Sequence, residues 1–272
     1  MAIQGYEGSF HQQAANIFFR NHVTVECCDT FRDLMVAAKD STRTDGAVMA
    51  IENSIAGSIL PNYKLLQGSN LIITGEVYLQ INQNLLVNHD VELEDIREVH
   101  SHTMALQQCY DFLDKHPWKL VDSDDTALSA RHIAKNKSKS IAAIASATAA
   151  DIYDLKILAP KIQTLKNNYT RFLILKRPQD VNEEQTGNKA SINFQTVHKE
   201  GSLARVLGVI AIHGMNLTKL QSFPIPGSEF KYQFHVDMEF DSMKKFQQVI
   251  EKIKPLIEEI KIYGVYNKGV WK

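Results

Sequence analysis

The feature that most constrains the fold is a strict alternation of apolar and polar residues between positions 230 and 240. Its apolar members occupy every second position: Phe230, Tyr232, Phe234, Val236, Met238 and Phe240. Successive side chains of a β-strand point to opposite faces of the sheet, so a period of two is typical of a strand. The segment is predicted to be a half-buried strand with one face on an apolar core.

The segments around this strand complete a small unit. Apolar positions at helical spacing predict one helix over 202–213 and another after Ser242, which can cap it. Further strands are predicted at 192–196, 216–224 and 260–266. The resulting order, βαββαβ, is that of a ferredoxin-like unit.

A polar stretch separates this unit from the rest of the chain. Residues 178–189 are mostly polar or charged and include Pro178 and Gly187, as expected of a linker. The stretch predicts one domain at 1–177 and a second domain at 190–272.

Residues 1–177 alternate between strand and helix patterns, which predicts a layered α/β fold. A long β-rich stretch over 71–88 is predicted to cross between two lobes, and the strand that starts near Thr170 is predicted to return to the first lobe. The predicted lobes, with a cleft between them, are about 1–78 with 160–177, and 79–159.

Composition argues against several classes of partner. Across 272 residues the formal net charge is -1, so we expect neither nucleic acid nor a membrane surface as partner. The ten histidines and three cysteines lack metal or redox spacing, so we expect no metal and free thiols in a reducing compartment. The sequence shows no signal peptide and no apolar stretch long enough to span a bilayer, which predicts a cytoplasmic protein.

Thr170 and Arg171 stand directly before the apolar run 172–175, at the mouth of a predicted strand. Open α/β sheets usually bind ligands at strand ends. Arginine can hold a carboxylate with two parallel hydrogen bonds, and threonine can donate a hydrogen bond to a leaving oxygen. The simpler alternative is a strand entry with a surface arginine.

A second polar segment, Glu52-Asn53-Ser54-Ile55-Ala56-Gly57-Ser58, follows the predicted strand 46–51. Its carboxylate, amide and hydroxyl groups lie at the carboxyl end of that strand. Asn53 or Ser54 could instead cap a helix. The two roles are compatible, because a helix N-terminus offers free N–H groups to an anion.

Three more polar segments open predicted helices: 5–10 with Ser9, Ser101 before the helix 104–113, and 123–126 with Thr126. Helix capping is the simple account of each. Gln108, in the second of these helices, could face a cleft. Together the segments favour one cleft ringed by N–H groups and hydroxyls, which suits a small polyanion.

In this order the segments resemble the prephenate dehydratase family. The resemblance rests on segment 52–58 and on Gly8-Ser9-Phe10, Ser101-His102, Gln108-Cys109, Ala142-Ala143-Ile144-Ala145-Ser146 and Asn168-Tyr169-Thr170-Arg171-Phe172. The unit after the linker resembles the ACT regulatory domain of that family, through Gly201-Ser202-Leu203-Ala204 and Leu217-Thr218-Lys219-Leu220-Gln221-Ser222-Phe223-Pro224. The similarity runs from near residue 3 to about residue 267.

The resemblance implies a two-lobed, periplasmic-binding-protein-like catalytic domain and a ferredoxin-like ACT domain. The implied reaction converts prephenate to phenylpyruvate with loss of water and carbon dioxide, without a cofactor. Thr170 would donate a hydrogen bond to the leaving oxygen and could relay a proton from a carboxylate such as Glu52, with Asn53 as a third catalytic residue. The implied substrate-binding residues are Arg171, Phe172, Ser9, Ser54, Ser101, Gln108 and Thr126.

The resemblance also implies feedback regulation by L-phenylalanine, bound between ACT units of a homodimer or homotetramer. The implied effector residues are Gly201, Ser202, Leu203, Ala204, Asn216 and Leu217. Gln221 and Phe223 stand where the family has glutamate and arginine, so we expect inhibition to survive with altered affinity.

Two alternatives remain open on the sequence. An arogenate dehydratase acts on the amino analogue of prephenate, and the two substrates differ in a single substituent. A two-lobed clamp with an ACT-like unit could also sense a small molecule without chemistry. A pure sensor, however, does not need segments 52–53 and 170–172 together.

Overall fold

A computed structural model of the chain describes residues 1–182, 185–225, 227–229, 231–269 and 271–272. Phe230 of the predicted strand and Glu183 and Glu184 of the predicted linker therefore lie outside the described residues. The chain forms two compact units. Unit 1 contains Met1–Ser69, Val77–Ile174 and the C-terminal residues, and unit 2 contains Asn70–Glu76 and Leu175–Gly269. The domain limits given above remain a prediction.

Helices and strands alternate along most of the chain, as in other α/β folds. In chain order they are β1 (Ala2–Gln4), α1 (Phe10–Phe19), β2 (Glu26–Cys28), α2 (Phe31–Lys39), β3 (Ala47–Asn53), β4 (Gly57–Ser58), α3 (Leu60–Gln67), β5 (Ile72–Gln80), β6 (Asn84–Val87), β7 (Glu98–Ser101), α4 (Thr103–Gln108), α5 (Tyr110–Leu113), β8 (Lys119–Asp122), α6 (Thr126–Lys135), β9 (Ile141–Ala145), α7 (Ala147–Ile152), β10 (Lys156–Ala159), β11 (Tyr169–Lys176), β12 (Lys189–Gln195), α8 (Ser202–Ile212), β13 (Asn216–Pro224), β14 (Tyr232–Glu239), α9 (Met243–Ile253) and β15 (Glu259–Tyr266). Within the described ranges, none of these helices is long and apolar enough to cross a membrane.

Two sheets carry the two lobes of unit 1. The first has the order β2-β1-β3-β11-β5, with β4 paired to β3, and the second has the order β10-β6-β9-β7-β8. The chain leaves the first sheet after β5, builds the second, and returns to the first through β11. This path confirms the predicted crossover and the predicted return near Thr170.

Both lobes have apolar cores that rest on their sheets. In the first lobe, Ile3 of β1, Val48 of β3 and Ile174 of β11 are fully buried, and Ala14 of α1 packs in the same cluster. The second sheet contributes to two clusters, one with α4 and α5 and one with α6 and α7. Helices thus cover the second sheet on both sides, as in layered α/β folds.

Several predicted elements are corrected. The helix predicted over 104–113 is two short helices, because the chain leaves helical geometry at Cys109, where φ is -105° and ψ is 14°. Among the elements that escaped prediction are α3, α7, β8 and β10. The strands β8 and β10 are four residues long and leave most of their side chains partly exposed. Their sequences therefore lack the alternation by which a half-buried strand is found.

Unit 2 has the predicted βαββαβ order, in β12, α8, β13, β14, α9 and β15. Its sheet order is β13-β14-β12-β15, with antiparallel neighbours. Ser242 caps α9 as predicted, since its Oγ accepts a hydrogen bond from the Lys245 N–H. Both helices pack on one apolar face of the sheet, which includes Ile192 and Val236.

The prediction that β14 is half-buried is wrong. Val236 and Met238 face the helices as expected, but His235 and Asp237 on the opposite face are 1% and 0% exposed. Asp237 Oδ1 accepts a hydrogen bond from Ser191 Oγ at 2.5 Å and lies 3.2 Å from His235 Nε2. Polar groups can be buried on this face because they bond to one another in place of water.

Unit 2 also buries an ion pair. Lys189 Nζ of β12 lies 2.9 Å from Glu76 Oε1 of β5, and the two side chains are 1% and 0% exposed. The Gly269 N–H donates to the same carboxylate oxygen at 3.0 Å. Removing one partner would leave the other charge buried without water, so this pair fixes the start of β12 to residues 72–76.

His11, on α1, is buried in the core of the first lobe. Its ring centre lies 4.9 Å from that of Phe172 and 5.5 Å from that of Phe31, and its Nε2 accepts a hydrogen bond from the Ala50 N–H at 3.2 Å. Burial lowers the pKa of His11 to about 3, because a charged ring would lose its hydration. The folded protein therefore keeps this ring neutral at neutral pH.

We predict that His11 makes unit 1 less stable as the pH falls from about 6.5 toward about 3. In that pH window His11 binds a proton in the unfolded chain, where its pKa is about 6.5, but stays neutral in the folded chain. His11→Gln removes this titration. Between pH 7 and pH 5, wild type should therefore lose about 2 kcal/mol more of its unfolding free energy than the variant.

Urea unfolding followed by tryptophan fluorescence measures this difference, since Trp118 and Trp271 both belong to unit 1. The matched control is His22→Gln, which changes an exposed histidine and should keep the wild-type dependence on pH. Equal pH dependences in wild type and His11→Gln would contradict the prediction.

Candidate active site

Three strand ends meet at one edge of the first sheet. The Ser54 N–H, after β3, donates to the Tyr169 carbonyl at 2.8 Å, and the Ile81 N–H, after β5, donates to the Asn168 carbonyl at 2.8 Å. Ser54 Oγ also accepts from the Tyr169 N–H at 2.9 Å. The carboxyl ends of β3 and β5 therefore flank the start of β11, and two segments far apart in the sequence lie side by side.

Asn53 ends β3 and holds the turn that follows it. Its Oδ1 accepts hydrogen bonds from the Ile55 and Ala56 N–H groups at 3.0 and 2.9 Å. Asn53 pairs with Gly57 across the short β3–β4 hairpin. The alternative in which Asn53 or Ser54 caps a helix does not hold, because this segment closes a hairpin.

The other end of the Asn53 amide points at the start of β11. Its Nδ2 lies 2.7 Å from Asn168 Oδ1, 3.0 Å from Thr170 Oγ1 and 3.2 Å from the Tyr169 carbonyl. Asn168 in turn donates from Nδ2 to Gln108 Oε1 at 3.0 Å. We call the four side chains of Asn53, Asn168, Thr170 and Gln108 the amide network.

Thr170 and Arg171 belong to different pairs. Neighbouring residues of a strand point to opposite faces, and Thr170 bonds to Asn53 whereas Arg171 Nη1 lies 3.9 Å from Glu52 Oε2. Arg171 is 4% exposed, and its guanidinium carbon lies 5.9 Å from the centre of the Tyr78 ring. The carboxylate–guanidinium pair is therefore separate from the Thr170 hydroxyl, although Thr170 and Arg171 are neighbours in the sequence.

Phe172 lies in the core of the first lobe. It is 1% exposed, and its ring meets the His11 ring edge-on. The resemblance implied contact between Phe172 and a substrate ring, but in this structure its ring braces the strand that carries Thr170. Contact with a ligand would require the core to open.

Asn168 is a site residue for which the sequence predicted no role. It is fully buried, and it joins Asn53 in the first lobe to Gln108, which ends α4 in the second lobe. The available sequence signal was a polar residue directly before the first residue of β11. That signal alone does not distinguish a buried amide from an exposed one.

Ser9, Ser101 and Thr126 lie at the ends of other elements. Ser9 is 3% exposed and caps α1 through its Oγ. Ser101 is fully buried in β7 and donates to the Ile144 carbonyl at 2.7 Å. Thr126 is the half-buried first residue of α6, which Asp125 caps. Within the described part of the chain, these three hydroxyls make no hydrogen bond to the amide network.

The loop that joins β1 to α1 in the first lobe rests on the second lobe. The Gly8 carbonyl accepts a hydrogen bond from Ser146 Oγ at 2.6 Å. Gly8 has φ +86°, and a Cβ at this position would lie 2.7 Å from the Ala149 Cα. The two lobes approach so closely here that only glycine fits without movement.

The same loop also shields a carboxyl group of the second lobe. A Cβ on Gly5 would lie 2.6 Å from Asp125 Oδ2. Burial raises the pKa of the Asp125 carboxyl, although hydrogen bonds from the backbone of α6 oppose the shift. Desolvation dominates because the charged form has lost much of its water.

The groups gathered at the sheet edge are amides, a hydroxyl, a carboxylate and a guanidinium. Such groups can donate hydrogen bonds, transfer a proton and bind an anion. Among the described residues, no three His, Cys, Asp or Glu side chains cluster closely enough to hold a metal ion.

The effector residues implied by the resemblance fall into two groups within unit 2. Residues 201–204 line a cavity of about 430 Å³ at the start of α8, which Tyr232 of β14 also lines. Asn216 pairs with Glu239, at the far end of β14 from Tyr232. From the length of β14, Asn216 and its neighbour Leu217 lie about 20 Å along the sheet from the cavity. One chain therefore does not bring the two groups together.

Comparison with known proteins identifies the family. The sequence model of the family Prephenate dehydratase matches residues 1–180. A protein of Arabidopsis thaliana named arogenate dehydratase/prephenate dehydratase 2, chloroplastic, is 37% identical over 276 residues, which cover 98% of this chain and 72% of the relative. The chain belongs to the prephenate dehydratase family.

Solved structures share the fold. GqqA, described as a novel type of quorum quenching acylase, matches with a TM-score of 0.87 and 29% identity, over 97% of this chain and 96% of that one. The prephenate dehydratase of Arthrobacter aurescens, solved in complex with L-Phe, matches with a TM-score of 0.84 and 23% identity, over 98% of this chain and 90% of that one. These likenesses confirm the predicted fold class, a two-lobed periplasmic-binding-protein-like α/β domain with a ferredoxin-like unit.

The close approach at Gly8 leads to a testable prediction about stability. Gly8→Ala should lower the unfolding free energy more than Gly57→Ala does. Both positions have positive φ, but a Cβ at Gly57 would meet nothing within 4 Å. Gly57→Ala therefore reports backbone strain alone, and Gly8→Ala adds the overlap with Ala149, for an additional loss of about 1–3 kcal/mol.

Urea unfolding of the two variants measures this difference. Equal losses would mean that the lobes separate at Gly8 without cost, which would contradict the contact described above.

Proposed function

We propose that the protein is a prephenate dehydratase enzyme that forms phenylpyruvate for L-phenylalanine biosynthesis. Membership of the family supports the reaction. The observation that carries the assignment of residues is the hydrogen bond from Asn53 Nδ2 to Thr170 Oγ1, at the edge where three strand ends meet. Ligands of open α/β sheets bind at such edges.

The proposed reaction breaks two bonds of prephenate and makes its ring aromatic. The C–C bond to the ring carboxylate breaks, and its electron pair enters the ring as the C–O bond to the hydroxyl breaks. Prephenate dianion and one proton give phenylpyruvate anion, carbon dioxide and water. The oxygen can leave as water only if a proton reaches it, so the enzyme has to provide a donor at that oxygen.

Thr170 is the proposed donor. Thr170 Oγ1 accepts a hydrogen bond from Asn53, so its own hydroxyl hydrogen is free to be donated elsewhere. In the proposed complex the hydroxyl donates this hydrogen to the leaving oxygen of the substrate. Threonine is too weak an acid to lose its proton for good. Glu52, whose carboxylate lies 3.9 Å from Arg171 Nη1, remains the predicted source of that proton.

Prephenate carries two carboxylates, and the site has to hold both. We propose that Arg171 contributes positive charge and that Ser54 and Gln108 contribute hydrogen bonds. Ser9, Ser101 and Thr126 remain predicted substrate residues. The three free cysteines support our proposal of a cytoplasmic location, because free thiols persist in reducing compartments.

We predict that Thr170→Val lowers kcat by about a hundredfold or more, because the change keeps the shape of the side chain and removes the positioned donor. Thr24→Val, at an exposed position, is the matched control and should keep the wild-type rate. Phenylpyruvate is measured by its ultraviolet absorbance in alkali, with circular dichroism to verify folding. Wild-type turnover in a folded Thr170→Val variant would reject Thr170 as the donor.

Parallel assays, each with its own product measurement, decide between the competing functions; phenylalanine, for example, is quantified by chromatography. Arogenate, given in place of prephenate, would yield phenylalanine, and a higher kcat/KM for arogenate would make the protein an arogenate dehydratase. Acyl hydrolysis without turnover of either compound would favour the activity for which GqqA is described. Binding of prephenate without turnover would favour a sensor.

We further propose that unit 2 is an ACT domain through which L-phenylalanine inhibits the enzyme. Gly201, with φ +71°, begins α8 without a side-chain cap, and the cavity that it lines opens at this helix N-terminus. A helix N-terminus favours a carboxylate, and the cavity walls include the apolar side chains of Leu203 and Leu207. An amino acid with an apolar side chain fits this combination.

The proposed effector site is completed by a second copy of the chain. Asn216 and Leu217 lie too far along their own sheet to reach the cavity, so they would serve the cavity of a partner in a homodimer or homotetramer. Allostery then requires that the effector favour one global state of the assembly over another.

We predict that L-phenylalanine inhibits the wild type and that Ala204→Trp abolishes inhibition without loss of basal activity. Ala204 is exposed at the cavity wall, so a large ring there fills the space meant for the effector. Ala211→Trp is the matched control, because Ala211 is exposed on the same helix but does not line the cavity.

Activity titrations with L-phenylalanine, calorimetry and sedimentation provide the measurements. A monomer at micromolar concentration would reject the shared site. Binding without inhibition would show that the site is not coupled to catalysis.

A further inference from the structure

Asn168 is fully buried where the ends of β3 and β5 meet the start of β11. Its exposure is 0%, and both ends of its amide have partners. Oδ1 accepts from Asn53 Nδ2 at 2.7 Å, and Nδ2 donates to Gln108 Oε1 at 3.0 Å. Rotation of this amide would leave buried polar atoms without partners, so its orientation is fixed.

The turn after β3 and Asn168 hold opposite ends of the Asn53 amide. The N–H groups of Ile55 and Ala56 occupy Asn53 Oδ1, so its Nδ2 has to face the start of β11. An amide nitrogen has two hydrogens. Asn168 Oδ1 accepts from one of them at 2.7 Å, which leaves the other for Thr170 Oγ1 at 3.0 Å and the Tyr169 carbonyl at 3.2 Å.

Gln108 extends these contacts to the second lobe. It ends α4, its carbonyl accepts a hydrogen bond from the Thr164 N–H at 2.8 Å, and its side chain accepts from Asn168. Asn168 therefore has one anchor in each lobe. A shift of either lobe would be transmitted through it to the amide of Asn53.

We propose that Asn168 is a positioning residue for the dehydration, acting through Asn53 on the direction of the Thr170 hydroxyl. This inference rests on the proposed function. Asn168 itself does not touch the substrate. Its effect falls on kcat rather than on substrate affinity, because the hydrogen bond to the leaving oxygen strengthens only as that oxygen gains charge in the transition state.

The first test compares Asn168→Ala with Asn167→Ala. Asn167 is the exposed neighbour in the same loop, so its variant controls for changes to the loop. We expect Asn168→Ala to lower kcat on the order of tenfold to a hundredfold, as small misplacements of catalytic groups do, with a smaller change in KM. Asn167→Ala should stay close to wild type. A wild-type kcat in Asn168→Ala would overturn the proposal.

A double-mutant cycle with Thr170→Val separates positioning from folding. If Asn168 acts through the Thr170 hydroxyl, Asn168→Ala should cause no further loss of kcat once that hydroxyl is gone. The same fold-loss in both backgrounds would mean that Asn168 acts on kcat independently of the Thr170 hydroxyl, and would overturn the proposal. If Asn168→Ala does not fold, Asn168→Leu carries the same test, since it keeps most of the side-chain volume but offers no acceptor to Asn53 Nδ2.

A wild-type protein that turns over neither prephenate nor arogenate would reject the proposed function, and this inference with it. Urea unfolding of Asn168→Ala, of Asn53→Ala and of the variant that carries both changes distinguishes a failure of the proposed function from a failure of the amide network. Coupled losses of stability would show that the network exists without this reaction. Additive losses would show that the network itself is absent.

Discussion

The site depends on how the Asn53 amide is held. One end accepts hydrogen bonds from the turn that follows β3, and the other end points at Asn168 and Thr170 of the returning segment. A planar amide fixed at both ends can take only one orientation, because a flip would set donors against donors. The same group that closes a hairpin in one part of the chain therefore orients a hydroxyl more than a hundred residues away.

The topology makes this contact possible. The chain builds most of its first sheet, crosses to build the whole second sheet, and returns with β11 between β3 and β5. Because β11 lies between β3 and β5, its first residues lie beside the carboxyl ends of these two strands. Gly8 makes a second contact between the lobes, because the absence of a side chain allows the β1–α1 loop to pack on Ala149.

Unit 2 shows how far an alternating pattern can be interpreted. The pattern of β14 correctly predicts which residues face the helices, since Val236 and Met238 lie in the core. It says nothing about the other face, where His235 and Asp237 are buried as well. The sequence does not reveal whether a polar residue in a strand forms its hydrogen bonds with water or with a buried partner such as Ser191. Burial of the second face is therefore a property of the assembled unit.

The sequence by itself determined the element types of the long periodic segments, the βαββαβ order, the crossover after β5 and the return near Thr170. These follow from local patterns, because periodicity and capping act within a few residues. Only the tertiary structure decided that Asn53 closes a hairpin, that Thr170 and Arg171 belong to separate pairs, and that Phe172 supports the core. It alone revealed Asn168, whose importance lies in partners 60 and 115 positions away. Hydrogen bonds between distant segments leave no period in the sequence, so the fold has to form before they can be recognised.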